Sequence, residues 1–223
     1  MVNTFVTTFP NDDPTFEKSA RSLDRRRLGK QRVEAYQILN ILNDLQAILD
    51  FGLTGYSGVT VSPLLISKIR KEYLANKPRL VYKENSGYEL FIDLASAAAS
   101  SGGGGGGRVV KLGFCNHPAV SMWCGYTTAL KVYINSHIRV WSEKYKNTMK
   151  IYDVSNLELV QPWWRFSDAV VYSHRAALFR KEPESYPEFD VQNEYRDLGY
   201  CWPGLLETTV LTSQHCSEHL LTK

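Results

Sequence analysis

Leu28, Ala35, Leu39, Leu42 and Leu49 recur at spacings of seven, four, three and seven residues, which draws one apolar stripe at helical period. A pattern of that length commits this part of the chain to helix, and the stripe must be covered by other elements. The spacing predicts one helix from near Pro14, with Asn11 to Asp13 as caps and Glu17 in its first turn, to about Asp50 before Phe51-Gly52. Gly29 is a point at which it can bend. The opposite side is a basic ridge. Residues 18–34 hold seven Lys or Arg against two acids, in a chain whose net charge is only +3. Asp24, Arg27, Gln31 and Glu34 fall at i, i+3, i+7 and i+10, so two carboxylates sit among the cations, about 15 Å apart at 1.5 Å per residue.

Further along, a short helical pattern follows Pro63 (Leu64, Leu65, Ile69, Tyr73), then two strand-like pieces, Arg79 to Lys83 and Tyr88 to Leu94, turned at Asn85-Ser86-Gly87. Residues 53–94 read as a small α+β insertion. Residues 95–107, Ala-Ser-Ala-Ala-Ala-Ser-Ser and six glycines, form a low-complexity linker with no expected chemistry. Asn116-His117-Pro118 is a helix start, and Val120, Trp123, Leu130, Ile134, Ile138 and Trp141 carry that helix to about Tyr145. After Pro162-Trp163-Trp164, the run from Ser173 to Lys181 reads as a third, shorter helix ended by Glu182-Pro183. The expected fold is all-α: a compact three-helix core with irregular loops, one domain over 1–223, interrupted by the insertion and the Gly-rich linker.

With 43% hydrophobic and 22% charged residues, the chain has ordinary globular composition. It has no apolar run near the roughly 18 residues a membrane span needs, and its start lacks a secretory signal, so an intracellular protein, cytoplasmic or nuclear, is expected. The four cysteines form no C-x-x-C pair, and neither a disulfide framework nor a cysteine zinc site is expected. His215 and His219 have the i, i+4 spacing of a metal pair but no third ligand converges on them. No P-loop, G-x-S-x-G or dinucleotide fingerprint is present, and no cofactor or metal is expected.

The candidate binding residues are cations. Arg25, Arg26, Arg27 and Arg32 lie on the basic helix, and Arg175 and Arg180, beside Lys181, extend the positive field. His117 and His174 both read as sitting where a helix begins, where exposed N–H groups favour an anion; the alternative is that each caps its own helix. Trp163, Trp164, Tyr200 and Trp202 are either stacking residues or core.

The blocks Leu23-Asp24-Arg25-Arg26-Arg27-Leu28-Gly29-Lys30-Gln31-Arg32-Val33-Glu34-Ala35, Asn116-His117-Pro118-Ala119-Val120-Ser121-Met122-Trp123, Ser173-His174-Arg175-Ala176-Ala177-Leu178 and Trp202-Pro203 together resemble the pyrimidine-dimer DNA glycosylase family. The likeness is nearest to its bacterial branch; the bacteriophage endonuclease V branch is more distant. It covers about 1–50 and 111–204, with no recognised counterpart for 53–110. The resemblance implies an all-α protein that binds damaged duplex DNA, flips a base, cuts the glycosidic bond and nicks the backbone by β-elimination. It also implies an α-amine nucleophile freed by removal of Met1, here Val2, where the phage enzyme has Thr. Aligning the phage Arg and Leu with Arg26 and Leu28 puts Arg27 at the position of its assisting glutamate, and Asp24 at an earlier Glu. Glu34 is then the favoured general acid or electrostatic partner, kept ionised by Arg27, Lys30 and Gln31, and Lys30 a substitute nucleophile. DNA is the expected partner. The alternative is a nucleic-acid or nucleotide-binding protein on the same fold without the chemistry. Oligomeric state is not readable.

Overall fold

The computed structural model describes residues 15–76, 78–84, 86–91, 107–146, 149–190, 195–197, 199–203 and 210–212. It is mostly helical, 55% helix against 8% strand. Six α-helices are described: α1 Glu17–Arg21, α2 Arg25–Asp50, α3 Pro63–Asn76, α4 Pro118–Met122, α5 Thr127–Tyr145 and α6 Asp168–Lys181. The chain divides into two compact units, one of Met1–Leu39 with Tyr126–Lys223, the other Asn40–Gly125.

The first helix is two helices. Ser22 turns its hydroxyl back to the carbonyl of Ser19, and Asp24 then accepts the backbone N–H groups of Arg26 and Arg27, so short polar side chains end α1 and cap α2. Phe16, just before α1, adopts a left-handed conformation (φ 64°) and is fully buried. Its ring meets Tyr133 edge-on at 5.4 Å. The second expected helix is also divided. Trp123 closes α4, and Gly125 (φ 79°) turns the chain before α5. Helix α6 starts five residues before the expected Ser173, because Val170 and Val171 already contribute buried surface.

In the first unit, Ala20, Leu23, Leu28, Val140, Leu178, Tyr186 and Phe189 form a buried cluster that joins α1, the start of α2, α5 and α6. Trp141, Tyr145, Phe179 and Tyr200 pack against it. Strands β4 (Cys201–Pro203) and β5 (Val210–Thr212) pair antiparallel in this unit.

In the second unit, α3 begins with proline at its first position and buries Ile66, Ile69 and Tyr73, while Leu64 faces solvent. Strands β1 (Arg79–Lys83) and β2 (Gly87–Phe91) pair antiparallel from Arg79↔Phe91 to Lys83↔Gly87. A strand the pattern did not announce, β3 (Arg108–Val109), pairs with the other edge of β1, giving the order β2-β1-β3. Gly107 precedes it as the last residue of the low-complexity segment, and a Cβ there would collide with Val81. The rest of that segment lies outside the described residues.

This small sheet is tied to α2 by charge. The carboxylate of Asp44, fully buried, receives both terminal nitrogens of Arg108 at 2.6 Å and the hydroxyl of Tyr88 at 2.7 Å. Removing one partner strands a buried charge, which costs about 3–5 kcal/mol in a fully enclosed pair. The Arg108 side chain is 40% exposed, so the loss is smaller. Arg108→Leu is expected to lower unfolding free energy by about 2 kcal/mol in urea titration, and Asp44→Asn with it to recover part of that loss.

Candidate nucleic-acid interface and acid site

Helix α5 places Tyr133, His137, Trp141 and Tyr145 four residues apart, so one ridge of rings runs down one side of the helix. The first half of α2 lies along that ridge in the opposite sense. Arg25 stacks over Tyr145 at 5.0 Å and Arg32 over Trp141 at 4.8 Å. Trp141 and Tyr145 are 4.6 Å apart, and the Tyr133 hydroxyl donates to Oε1 of Gln31 at 3.4 Å. Gly29 makes the approach possible: a Cβ would sit 2.9 Å from the Trp141 ring. The glycine expected to bend the helix is instead the seat of this tryptophan.

The cations divide by what they touch. Arg27 is 12% exposed, lies 2.7 Å from Glu182 and 3.2 Å from Asp24, and covers the Tyr186 ring. It holds the core together and does not face solvent. Arg25, Arg26, Lys30 and Arg32 have no acid within 4.0 Å among the described residues. Arg25, Arg26 and Lys30 are exposed. Arg32 is half-buried, with Nε lacking a hydrogen bond, and burial holds its pKa below the ordinary value. An unneutralised guanidinium supported by an aromatic face suits a phosphate oxygen.

The two carboxylates of the basic helix have opposite surroundings. Burial is the largest influence on Asp24 and raises its pKa, but hydrogen bonds from the Tyr186 hydroxyl and from the N–H groups of Arg27 and Arg26 outweigh it. The carboxyl lies below its usual range and serves as cap and anchor of α2. Glu34 has no such partners. Its Oε2 is buried without a hydrogen bond, and burial raises its pKa while Lys30, one turn earlier, opposes the rise. The expectation that Arg27 would keep Glu34 ionised fails, because Arg27 is bound to Glu182. The Glu34 charge acts on Tyr133, which is buried and raised first by burial and then by Glu34. Nδ1 of His137 lies 2.8 Å from the Tyr133 carbonyl, with the two rings 4.0 Å apart. Tyr133 and His137 escaped the sequence reading, although their spacing with Trp141 and Tyr145 on one helix carried the signal.

Other candidates lie elsewhere. His174 is in the middle of α6 and fully buried, with Nε2 3.3 Å from the Cys201 carbonyl and its ring between Tyr200 and Trp202. It lies in the core and not at a helix start, because the helix begins at Asp168. Arg175 is half-buried between Tyr172 and Phe189, at 5.4 and 5.5 Å, and burial lowers its pKa. Arg180 is exposed and donates to the Arg196 carbonyl. In the second unit, Nδ1 of His117 accepts the N–H of Ala119 at 3.1 Å, so this histidine caps its own helix, and burial lowers its pKa toward the neutral form an acceptor needs. Trp164 is wholly buried. Val2, His215 and His219 lie outside the described residues.

Residues 2–153, about two thirds of the chain, match the family model described as pyrimidine dimer DNA glycosylase. The chain belongs to this family. Its members are DNA repair glycosylases, which makes DNA the substrate class. The match takes in the Leu23–Ala35 and Asn116–Trp123 blocks and ends before Ser173. No curated protein and no solved structure matches the chain. No helix among the described residues is long and apolar enough to cross a membrane.

Two stability measurements probe this geometry. Gly29→Ala gains up to about 1 kcal/mol of helix propensity but overpacks Trp141, at about 1–3 kcal/mol. A net loss of about 1 kcal/mol is expected, lowering Tm by about 2–4 °C. For Glu34 the sign follows from its raised pKa. The folded state holds the proton more tightly than the unfolded chain, so this contribution is full below the ordinary value of 4.5 and is lost as pH rises through the folded pKa. Glu34→Gln is expected to raise Tm at pH 7, and the difference from wild type should close near pH 3.

Proposed function

We propose that the protein is a DNA glycosylase with abasic-site lyase activity, acting on pyrimidine-dimer-type lesions by base flipping and an imine intermediate. The observation that carries this reading is Glu34: a carboxyl with a buried, unpartnered oxygen and a raised pKa, on the same helix as four cations that no acid neutralises. A carboxyl whose pKa is raised by burial is suited to give a proton to a departing base.

In this reading Arg25, Arg26 and Arg32 take the phosphates, and the flipped nucleotide exposes C1′. An amine forms a bond to C1′ as the glycosidic bond breaks, the electron pair leaving with the pyrimidine. Ring opening, with protonation of the ring oxygen, gives the imine; loss of a C2′ proton then expels the 3′ phosphate. The proton shed by the amine leaves with the pyrimidine; Glu34 gives its proton to the ring oxygen, and the resulting carboxylate takes the C2′ proton. The amine is either the α-amine of Val2, after Met1 is removed, or the side chain of Lys30, which is exposed one turn before Glu34. Asp24 and Arg27 position the start of α2.

Borohydride reduction in the presence of duplex DNA carrying a dimer or an abasic site is expected to trap a covalent complex, and mass spectrometry of the linked peptide to assign Val2 or Lys30. Glu34→Gln should lower the yield at pH 7 by about 100-fold, a typical effect of a lost general acid. Arg26→Ala and Arg32→Ala should each weaken binding and reduce the salt slope by about one. Salt-sensitive binding with no trapped species from either substrate would sink the catalytic reading in favour of a binding protein on this fold.

A further inference from the structure

The buried side of the first half of α2 is apolar except at one position. Leu28, Ala35, Ile38 and Leu39 fill it, and Gln31 stands among them with 1% of its surface exposed. The hydroxyl of Tyr133 on α5, itself buried, donates to Oε1 of Gln31 at 3.4 Å. The oxygen and nitrogen of an amide diverge from one carbon, so this contact turns the N–H pair away from Tyr133. Among the described residues that pair has no hydrogen-bond partner. An amide covered with its donors unused works against stability, and both N–H groups are available to an acceptor brought by another molecule.

Glu34 lies three residues on, a spacing at which side chains of one helix are neighbours. Both residues adjoin the same tyrosine: Gln31 takes its hydrogen bond, and the Glu34 charge adds to the rise in its pKa that burial begins. All three belong to one unit. Glu34 is half-buried and Gln31 is covered, so a nucleotide reaches the pair from the Glu34 side. The proposed reaction leaves one charge there without a partner. When the glycosidic bond breaks, its electron pair stays on N1 of the pyrimidine. In a dimer C5 and C6 are saturated, so that charge is shared with O2 and not with O4. O2 and the ring oxygen of the sugar flank the breaking bond, and two groups one helical turn apart can serve one each.

We infer that the Gln31 amide donates to O2 of the departing pyrimidine and stabilises the negative charge that develops there as the glycosidic bond breaks. Donors already in place where charge appears lower the barrier without rearranging during the reaction. Gln31 is then a catalytic residue and Tyr133, which holds its oxygen, a positioning residue. Gln31 forms and breaks no covalent bond: the electron pair passes from the C1′–N1 bond to N1 and O2, and the proton shed by the amine then neutralises the base. This inference rests on the proposed glycosylase reaction and serves the base, whereas Glu34 serves the sugar.

The test uses the full chain and two duplexes of one sequence, one carrying a cyclobutane pyrimidine dimer and the other an abasic site. Single-turnover strand cleavage separates the two stages, because the abasic duplex has no pyrimidine left to lose. Gln31→Met keeps the length of the side chain and removes the amide. It should slow cleavage of the dimer duplex by about 100-fold, a usual loss for one such donor, and leave the abasic duplex cleaved within about twofold of wild type. Tyr133→Phe keeps the ring against Phe16 and removes only the hydroxyl. It should slow the dimer reaction by about fivefold, the worth of one hydrogen bond, and again spare the abasic reaction. Melting curves report folding, and if Gln31→Met does not fold, a loss confined to the dimer duplex in Tyr133→Phe supports the inference. A loss shared equally by the two duplexes, or no loss on the dimer duplex in either variant, would overturn it and leave the proposed function standing. Wild-type protein that cleaves neither duplex would overturn both.

Discussion

The packing of α2 on the aromatic ridge of α5 is the constraint on which the rest of the first unit depends. A helix with several cations at its start is poorly suited to close packing, since each guanidinium must keep its hydration or find a partner. Tyr145 and Trp141 relieve this by offering ring faces to Arg25 and Arg32, which accept a cation without neutralising it. Gly29 allows the two backbones near enough for the contact to form. The result is a positive surface on a closely packed helix pair.

The same packing separates the two acids of the basic helix. Asp24 stands at the exposed N–H groups of α2 and beside Tyr186, so every oxygen is provided for and the group stays ionised. Glu34, further along α2 over Tyr133, has lost much of its water without gaining donors. Asp24 stabilises the fold, whereas burial of Glu34 without a donor works against it when the group is ionised. Arg27 is bound to Glu182, so the acid role in the proposed mechanism is given to a different turn of the same helix.

Periodicity decided what depended on local spacing. The apolar stripe through α2, the proline start of α3, the hairpin of β1 and β2 and the long run of α5 all follow from side chains that repeat along their own helix or strand. Breaks were harder to read, because ending a helix turns on single hydrogen bonds: Asp24 to two N–H groups, Gly125 to one left-handed turn. The two-residue strand β3 left no periodic trace, since its place comes from pairing with β1 and from Arg108 reaching Asp44. His174 was misplaced for a related reason: the start of α6 could not be told from the residues before it, and a histidine mid-helix among Tyr200 and Trp202 is core.

The sequence by itself determined the helical character of the chain, the concentration of positive charge at the start of α2 and, through its blocks, the family. Those properties reside in residues near one another along the chain. Only the tertiary structure decided which cations remain available and which acid is deprived of partners. Arg27 and Arg32 are five residues apart on one helix and identical in chemistry, yet one is paired with Glu182 and the other stacks on Trp141 beside Met149 with no acid against it. That difference is set by residues more than a hundred positions away, and desolvation and pairing, which govern the behaviour of a charge, exist only once those residues have come together.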